Sequence, residues 1–279
     1  ITRRRFNGME LTVQSAFGNS YKTANFGVVG GRTWENGSAL LAYNFSFRSS
    51  IPGDARDFNR ADLRSQGGGS FQTFFCGPAT FQGGAGNLVY QFPYAAGAGV
   101  AASAPGFCDT RRISDIVPTE SRHSVLAKFE QEIGEKLKVS ADLVYSNRLT
   151  KTRGALGTTT ATVFGPGSAP LGGTGQINPF FQGLPGATSG TVRVDFNSLF
   201  PDRRPATKAG QQIFFATVGA EYDLGHEWQF TVGGTAGQNS STQRGVGDIC
   251  APCAVLGLNG TANQAGNPNT IVFPAVGGR

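Results

Sequence analysis

Hydrophobic and polar side chains alternate with a period of two along the central stretch of the chain, residues 124–149, on both sides of Gly134-Glu135-Lys136. The apolar positions are Val125, Ala127, Phe129 and Ile133 before the glycine, and Val139, Ala141, Leu143 and Tyr145 after it. A period of two predicts extended strands, and the short interruption predicts an antiparallel hairpin. Each run spans about ten residues, more than the ~5–6 of a usual globular strand and close to the ~9–11 of a tilted bilayer-spanning strand.

The same alternation predicts seven strands in all, joined by connections of unequal length. The predicted strands are residues 9–17, 24–34, 38–48, 123–133, 137–148, 211–223 and 227–239. The connections at 18–23, 35–37, 134–136 and 225–226 are short, whereas those at 49–119, 150–209 and 240–279 are long and rich in glycine. Asn36-Gly37 predicts a tight turn, because both residues accept a positive φ. Trp34, Tyr222 and Trp228 flank short turns, as an interfacial aromatic girdle would.

Long strands with short turns at one edge and long loops at the other are typical of outer-membrane barrels. We therefore predict an all-β fold, an antiparallel transmembrane β-barrel segment with an apolar face towards lipid and a charged face towards a wet interior. A soluble β-sandwich would explain the alternation but neither the strand length nor the one-sided loops. The residues expected to point outward are Phe45, Phe129, Leu143, Phe214 and Phe230, and those expected to point inward are Asn44, Glu130, Asp142 and Gln229. A register slip of one residue would invert every assignment.

Composition and charge narrow the functional classes. The chain of 279 residues has 41 Gly, 22 Phe and one Met. It has no run of ~18 apolar residues, which excludes a transmembrane helix. The formal charge of +6 is scattered along the chain, so it argues against a nucleic-acid partner and favours contact with anionic lipid headgroups.

The opening sequence ITRRRFNGMELTVQSAFG resembles the junction in TonB-dependent outer-membrane receptors at which the N-terminal plug ends and the barrel begins. Ile1 to Arg4 match the last plug strand, and Phe6 to Leu11 match the start of the barrel. TWENGSALLAYNFSFRS resembles the next hairpin of the same family. RSQGGGSF, VPTESRHS and INPFF resemble a subgroup common in Gram-negative proteobacteria.

This resemblance implies that residues 1–8 end the plug and that residues 9–279 are a partial barrel, about its first third, without most of the plug or the TonB-contacting segment. It implies location in the outer membrane of a Gram-negative bacterium, in contact with lipid and lipopolysaccharide. The implied function is active uptake of a scarce large solute (a siderophore, cobalamin, an oligosaccharide or a peptide) with energy from the TonB complex acting through the plug. The alternative is a structural or adhesive surface β-protein whose strands assemble between chains.

All four cysteines lie in predicted loops, Cys76 and Cys108 in one and Cys250 and Cys253 in another. An even number in an exported protein favours disulfides, and we expect the pairs Cys76–Cys108 and Cys250–Cys253. Cys-Ala-Pro-Cys also occurs in redox dithiols. That motif opens a helix beside a sheet, and glycine and asparagine surround it here, so the disulfide is preferred.

The sequence predicts no enzyme, no cofactor and no metal centre. It contains no GxSxG elbow and no HExxH motif. A zinc site needs four ligands, and the only histidines, His123 and His226, lie on or beside predicted strands. The charged residues of the predicted wall are interpreted as hydrated, cross-strand pairs.

The aromatic residues of the first long loop are the best candidates for ligand contact, because exposed rings stack on sugars and planar chelates. They are Phe71, Phe74, Phe75, Phe81, Tyr90, Phe92 and Tyr94. An equally supported alternative is that these rings pack a small core within the loop.

Overall fold

The structure, a computed structural model of the chain, describes residues 6–72, 76–77, 79–83, 88–91, 107–168, 178, 181 and 186–259. The chain divides into two compact units. Unit 1 comprises residues 1–56, 115–153 and 206–246, and unit 2 comprises residues 57–114, 154–205 and 247–279.

The chain is mostly β, with a few short helices. The strands are β1 (Gly8–Gly18), β2 (Tyr21–Trp34), β3 (Gly37–Arg48), β4 (Ile51–Pro52), β5 (Ala79–Gly83), β6 (Leu88–Gln91), β7 (Asp115–Val117), β8 (Thr119–Ile133), β9 (Leu137–Arg153), β10 (Thr158–Phe164), β11 (Ser189–Asp195), β12 (Ala206–Gly225) and β13 (Trp228–Val246). The helices are α1 (Thr110–Ile113), α2 (Phe196–Leu199) and α3 (Ala251–Asn259), with 3-10 turns at Gly53–Ala55 and Arg64–Gln66. Among the described residues, no helix has the length and apolar character that a membrane-spanning helix requires.

Unit 1 is built on a seven-stranded antiparallel sheet in the order β1-β2-β3-β8-β9-β12-β13. The seven predicted strands are confirmed, but several are longer than predicted. β9 continues to Arg153, β12 begins at Ala206 and β13 continues to Val246. The predicted loops 150–209 and 240–279 therefore included residues that belong to strands. The extensions carry Thr, Ser, Gln and Lys on both faces, so backbone pairing persists where the apolar signal has ended.

The pairing register sorts the side chains of this sheet onto two faces, because residues directly opposite each other in an antiparallel pair point to the same side. One face, which we name the apolar face, includes Phe45, Phe129, Leu143, Phe214 and Phe230. The other, which we name the polar face, includes Asn44, Glu130, Asp142 and Gln229. The predicted division of these residues between two faces is confirmed.

The two ends of the sheet differ in their connections. At one end, the turn edge, short turns join β2 to β3, β8 to β9 and β12 to β13. At the other end, the loop edge, β3 leaves the sheet for residues 49–118 and β9 leaves it for residues 154–205, while β1 and β2 are joined by a short turn. This arrangement agrees with the predicted asymmetry of the connections.

The tight turns use glycine in two ways. Gly134 has a φ of 66°, a conformation that glycine adopts readily in a tight turn. At the turn between β2 and β3 the prediction of a positive φ was wrong, because neither Asn36 nor Gly37 has one. Gly37 is needed for space instead, since a Cβ there would lie 2.6 Å from the carbonyl oxygen of Glu130 and 2.7 Å from the indole nitrogen of Trp34.

Unit 2 is a small folded body, which corrects the expectation of long loops with little regular structure. Its four-stranded sheet has the order β10-β11-β5-β6 and joins strands more than a hundred residues apart in sequence. The buried core comprises Phe81, Leu156, Val163, Val192, Val194 and Phe196. Side chains of α3, Ala254 and Leu258, pack against this core.

We predict that Phe81→Ala destabilises unit 2 by about 3–5 kcal/mol, because the ring is only 1% exposed and its removal leaves a cavity. Phe58, which is 69% exposed, provides the matched control, and Phe58→Ala is expected to change stability by less than ~0.5 kcal/mol. Hydrogen exchange of the β10 and β11 amides measures both effects. Equal protection in the two variants would contradict the assigned core.

Candidate functional site

The apolar face presents large hydrophobic side chains to its surroundings on all seven strands. Leu41 is 58% exposed, Val218 is 59% exposed and Trp228 is 72% exposed. The other exposed hydrophobic residues on this face include Met9, Leu11, Val13, Phe17, Phe26, Phe129, Ile133, Phe214, Phe230 and Val232. These exposed side chains lie on seven adjacent strands of one sheet, and a contiguous exposed apolar surface marks a site of interaction.

Two pairs of polar side chains on the apolar face bond to each other. The hydroxyl of Tyr43 and Nδ1 of His123 lie at a hydrogen-bonding distance of 2.8 Å. The indole N–H of Trp34 donates to Oε1 of Gln131 at 2.8 Å. Internal pairing of this kind lowers the cost of placing a polar group where water is scarce.

The polar face carries a set of ion pairs across strands. The carboxylate of Glu120 accepts from Arg48 at 2.9 Å and from Arg148 at 2.7 Å. Further pairs join Lys128 to Asp142 at 3.4 Å and Lys138 to Glu130 at 3.5 Å. The prediction that the wall charges are cross-strand pairs is confirmed for these residues.

The carboxylates of the seven-stranded sheet all lie on the polar face. They are Glu10, Glu120, Glu130, Glu132, Asp142, Glu221 and Asp223. None of the described strand residues on the apolar face is acidic. The sheet therefore separates two environments, one fit for hydrated charge and one fit for hydrocarbon.

Two aromatic residues proposed for ligand contact are placed very differently. Phe81 is core and packs against Phe181 with ring centroids 5.6 Å apart, so the core alternative applies to it. Phe71 is 61% exposed, and the guanidinium of Arg111 lies 5.0 Å from its ring centroid. This exposed ring beside a cation can accept a planar or sugar-like ligand.

The structure does not describe the side chains of the other aromatic residues proposed for ligand contact. Phe74, Phe75, Phe92 and Tyr94 lie outside the described residues. Tyr90 is described only in its backbone, which pairs with Phe81 between β6 and β5. The cation–π contact between Arg111 and Phe71 was not predicted from the sequence, because no local pattern around Arg111 indicates that it lies over this ring.

Asp62 and Arg64 form a bidentate ion pair in the connection between β3 and β8, which also contains Phe71. The guanidinium of Arg64 donates to both carboxylate oxygens of Asp62, at 2.9 and 2.6 Å. These hydrogen bonds lower the pKa of Asp62 to about 2. A carboxyl group held in its charged form is a weak proton acceptor, so this pair orders the loop rather than providing a general base.

The cysteine pairs occur as predicted. Cys76 and Cys108 are bonded with their Cα atoms 5.5 Å apart, and Cys250 and Cys253 with theirs 5.2 Å apart. The carboxylate of Asp195 lies close to the first pair, but sulfurs joined to each other offer no thiolate to a metal ion. Asp195 instead accepts hydrogen bonds from Asn197 and Ser198 at the start of α2.

The surroundings of Cys250–Cys253 differ from the prediction. Cys250 directly precedes α3, its sulfur accepts the Cys253 N–H at 3.2 Å, and the helix packs beside β10. Pro252 lies in the first turn of α3, where proline is tolerated because the backbone N–H there has no partner within the helix. This proline was a sequence signal for a helix start, but the glycine and asparagine residues around it favoured a loop. The objection that this motif does not open a helix beside a sheet was therefore wrong.

No family model matches the chain, and neither a curated protein nor a solved structure shows significant similarity to it.

We predict unequal effects for the two disulfides. The Cys76–Cys108 bridge spans a sequence separation of 32, so its removal by the double Ser variant should cost unit 2 about 3–4 kcal/mol on the loop-entropy model. The double Ser variant of Cys250 and Cys253, with a separation of 3, should cost less than ~2 kcal/mol. Alkylation before peptide mass spectrometry checks the pairing, and hydrogen exchange checks the cost. Free thiols at Cys76 and Cys108 in protein taken from intact cells would contradict it.

Proposed function

We propose that this chain forms part of the wall of an outer-membrane β-barrel of the TonB-dependent receptor type, and that the whole protein takes up a scarce, large solute. The observation that carries the proposal is the exposed apolar face across all seven strands, backed by an ion-paired polar face. A sheet with these faces is stable where one side meets hydrocarbon and the other meets water.

The dimensions of the apolar belt support a membrane-spanning role. On the apolar face of β9, β12 and β13, the continuous apolar or glycine positions run over 137–145, 214–222 and 228–236. Nine residues at a rise of ~3.3 Å extend about 30 Å, or about 23 Å in height at a barrel tilt of ~40°. Outer-membrane barrels have an apolar band ~25 Å tall.

The edges of the sheet support a larger assembly. Among the described strands, β1 and β13 each pair on one side only. Unpaired backbone groups are costly in lipid, so each edge strand needs a further strand beside it. In a receptor these strands come from the same polypeptide.

The sequence pattern and unit 2 favour a receptor over a passive pore. Residues 1–18 resemble the plug–barrel junction of TonB-dependent receptors, and residues 33–49 resemble the hairpin that follows it. Unit 2 carries the exposed ring of Phe71 beside Arg111, a pairing suited to capture of a planar or sugar-containing solute.

The second candidate function is a structural or adhesive surface protein whose strands assemble between chains. The open edges of β1 and β13 favour it as much as they favour a larger barrel, because a second copy could supply the missing strand. The two candidates differ in whether the edge partner belongs to the same polypeptide.

We predict that Leu143→Arg impairs assembly into the outer membrane, at a cost of about 2–4 kcal/mol, because a cation then faces hydrocarbon. The matched control is Asp142→Arg, one residue away on the polar face. It loses the pair with Lys128 and places a like charge opposite that lysine, but water can solvate both charges, so it should cost less than ~1 kcal/mol. Fractionation of outer membranes and gel mobility with and without heating measure assembly. Equal effects of the two substitutions would contradict a lipid-facing wall.

We also predict that deleting the gene abolishes growth on one solute from a panel supplied at low concentration: ferric chelates, cobalamin, oligosaccharides and peptides. Loss of the TonB complex should abolish growth on the same solute, because uptake depends on that energy source. Unchanged growth on every solute, with cysteines introduced at the β1 and β13 edges crosslinking separate copies, would favour the adhesive alternative.

A further inference from the structure

Three cations lie side by side at the loop edge of the apolar face. Lys151 of β9 is directly opposite Lys208 of β12, and Lys208 is directly opposite Arg244 of β13. All three side chains are exposed. Like charges placed directly opposite each other destabilise a sheet, so this row needs a compensating anion.

Among the described residues, no carboxylate lies within ion-pair distance of this row. Arg153, two residues beyond Lys151 on the same face, does have a partner, because it pairs with Asp115 at 2.9 Å. The carboxylates of the seven strands are on the polar face, and none of the described residues forms an ion pair with Lys151, Lys208 or Arg244. Lys128 and Lys138, on the polar face, each have a carboxylate partner. Lys151, Lys208 and Arg244 therefore present their charge to an external group.

A cleft of about 330 Å³ lies among these cations and extends towards the apolar belt. Besides the cations, its lining includes Phe47, Ser121, Leu149, Gly210 and Thr242. A Cβ at Gly210 would lie 3.1 Å from Oγ1 of Thr242 and 3.3 Å from Cδ2 of Leu149, so the glycine helps to keep the cleft open. The lining thus combines cations, hydroxyl groups and apolar surface, which suits an amphiphilic ligand.

The position of the cleft along the strands corresponds to a headgroup layer. On β9 the apolar belt ends at Tyr145, and Lys151 lies six residues further on, about 20 Å along the strand. If the belt meets the hydrocarbon of a membrane, the cations lie beyond it on the loop side, where phosphates and sugars are found.

We propose that this cation cleft binds the phosphate groups of an anionic phosphorylated glycolipid in the outer leaflet, with the acyl chains of the lipid lying on the apolar belt. The inference rests on the proposed function, since it requires the apolar face to meet a membrane. Lysine and arginine bind phosphate through charge-assisted hydrogen bonds, while Leu149 and Phe47 contact the hydrophobic part of the lipid. The bound phosphates relieve the repulsion within the row.

The test uses the full-length protein purified in detergent and probed with bisphosphorylated lipid A, monophosphorylated lipid A and inorganic phosphate. Native mass spectrometry and a binding titration measure the complexes. The triple variant Lys151→Gln, Lys208→Gln, Arg244→Gln should bind bisphosphorylated lipid A roughly a hundredfold more weakly, or about fivefold for each charge. Monophosphorylated lipid A should bind the unaltered protein more weakly than the bisphosphorylated form, and inorganic phosphate should not compete at millimolar concentration.

The control variant removes three positive charges near the turn edge of the same sheet: Arg32→Gln, Lys136→Gln, Lys138→Gln. Its affinity for lipid A should remain within about threefold of the unaltered protein, because these residues are remote from the cleft. Equal losses in the two triple variants, or competition by free phosphate, would overturn the lipid site while leaving the proposed membrane wall intact. Absence of the protein from outer-membrane fractions would overturn both.

Discussion

The pairing register of the seven-stranded sheet is the constraint on which the rest of unit 1 depends. From β1 to β13 the register contains a single irregularity, between Asp223 and Gly225 beside the last turn. Because side chains alternate with a period of two, a slip of one residue anywhere else would carry carboxylates onto the apolar face and phenylalanines onto the polar one. The absence of carboxylates from the apolar face of the described strands and the row of cations at the loop edge are both consequences of this register.

The two units gain stability from different sources. Unit 2 buries Phe81, Leu156 and Phe196 in a core of its own, so burial of apolar surface stabilises it directly. Unit 1 leaves most of its large apolar side chains exposed, and the ion pairs of its polar face contribute only ~0–1 kcal/mol each where water reaches them. Backbone pairing alone does not offset the conformational entropy of so many ordered residues. The sheet of unit 1 therefore gains less from burial among the described residues than unit 2 does, and the proposed membrane environment would supply the missing apolar contact.

The sequence predicted what is local and repetitive and failed where distant segments meet. The seven strands and their faces follow from alternation within each run, and Leu143 beside Asp142 is sorted correctly without knowledge of any partner strand. In β10 the buried positions are Thr159, Ala161 and Val163 between exposed threonines, so the contrast that reveals a strand is weak. Its sheet also depends on pairing β5 with β11 across more than a hundred residues, which no local pattern encodes.

In the candidate sites too, contacts between residues distant in sequence could not be predicted from local patterns. The disulfide pairs could be predicted by counting cysteines, whereas the stacking of Arg111 on Phe71 and the row Lys151, Lys208 and Arg244 required the fold. Each of the four cations is an ordinary surface residue when taken singly, and its significance comes only from the residues that lie opposite it or beside it.

Every residue of β1 and β13 is exposed, and each of these strands has one unpaired edge among the described residues. Lys208 belongs to the inner strand β12 and Arg244 to β13, which pairs on one side only among the described strands. If a further strand pairs with β13, as the proposed function requires, it would restrict the β13 end of the row, and we expect the proposed lipid site to be more selective in that state.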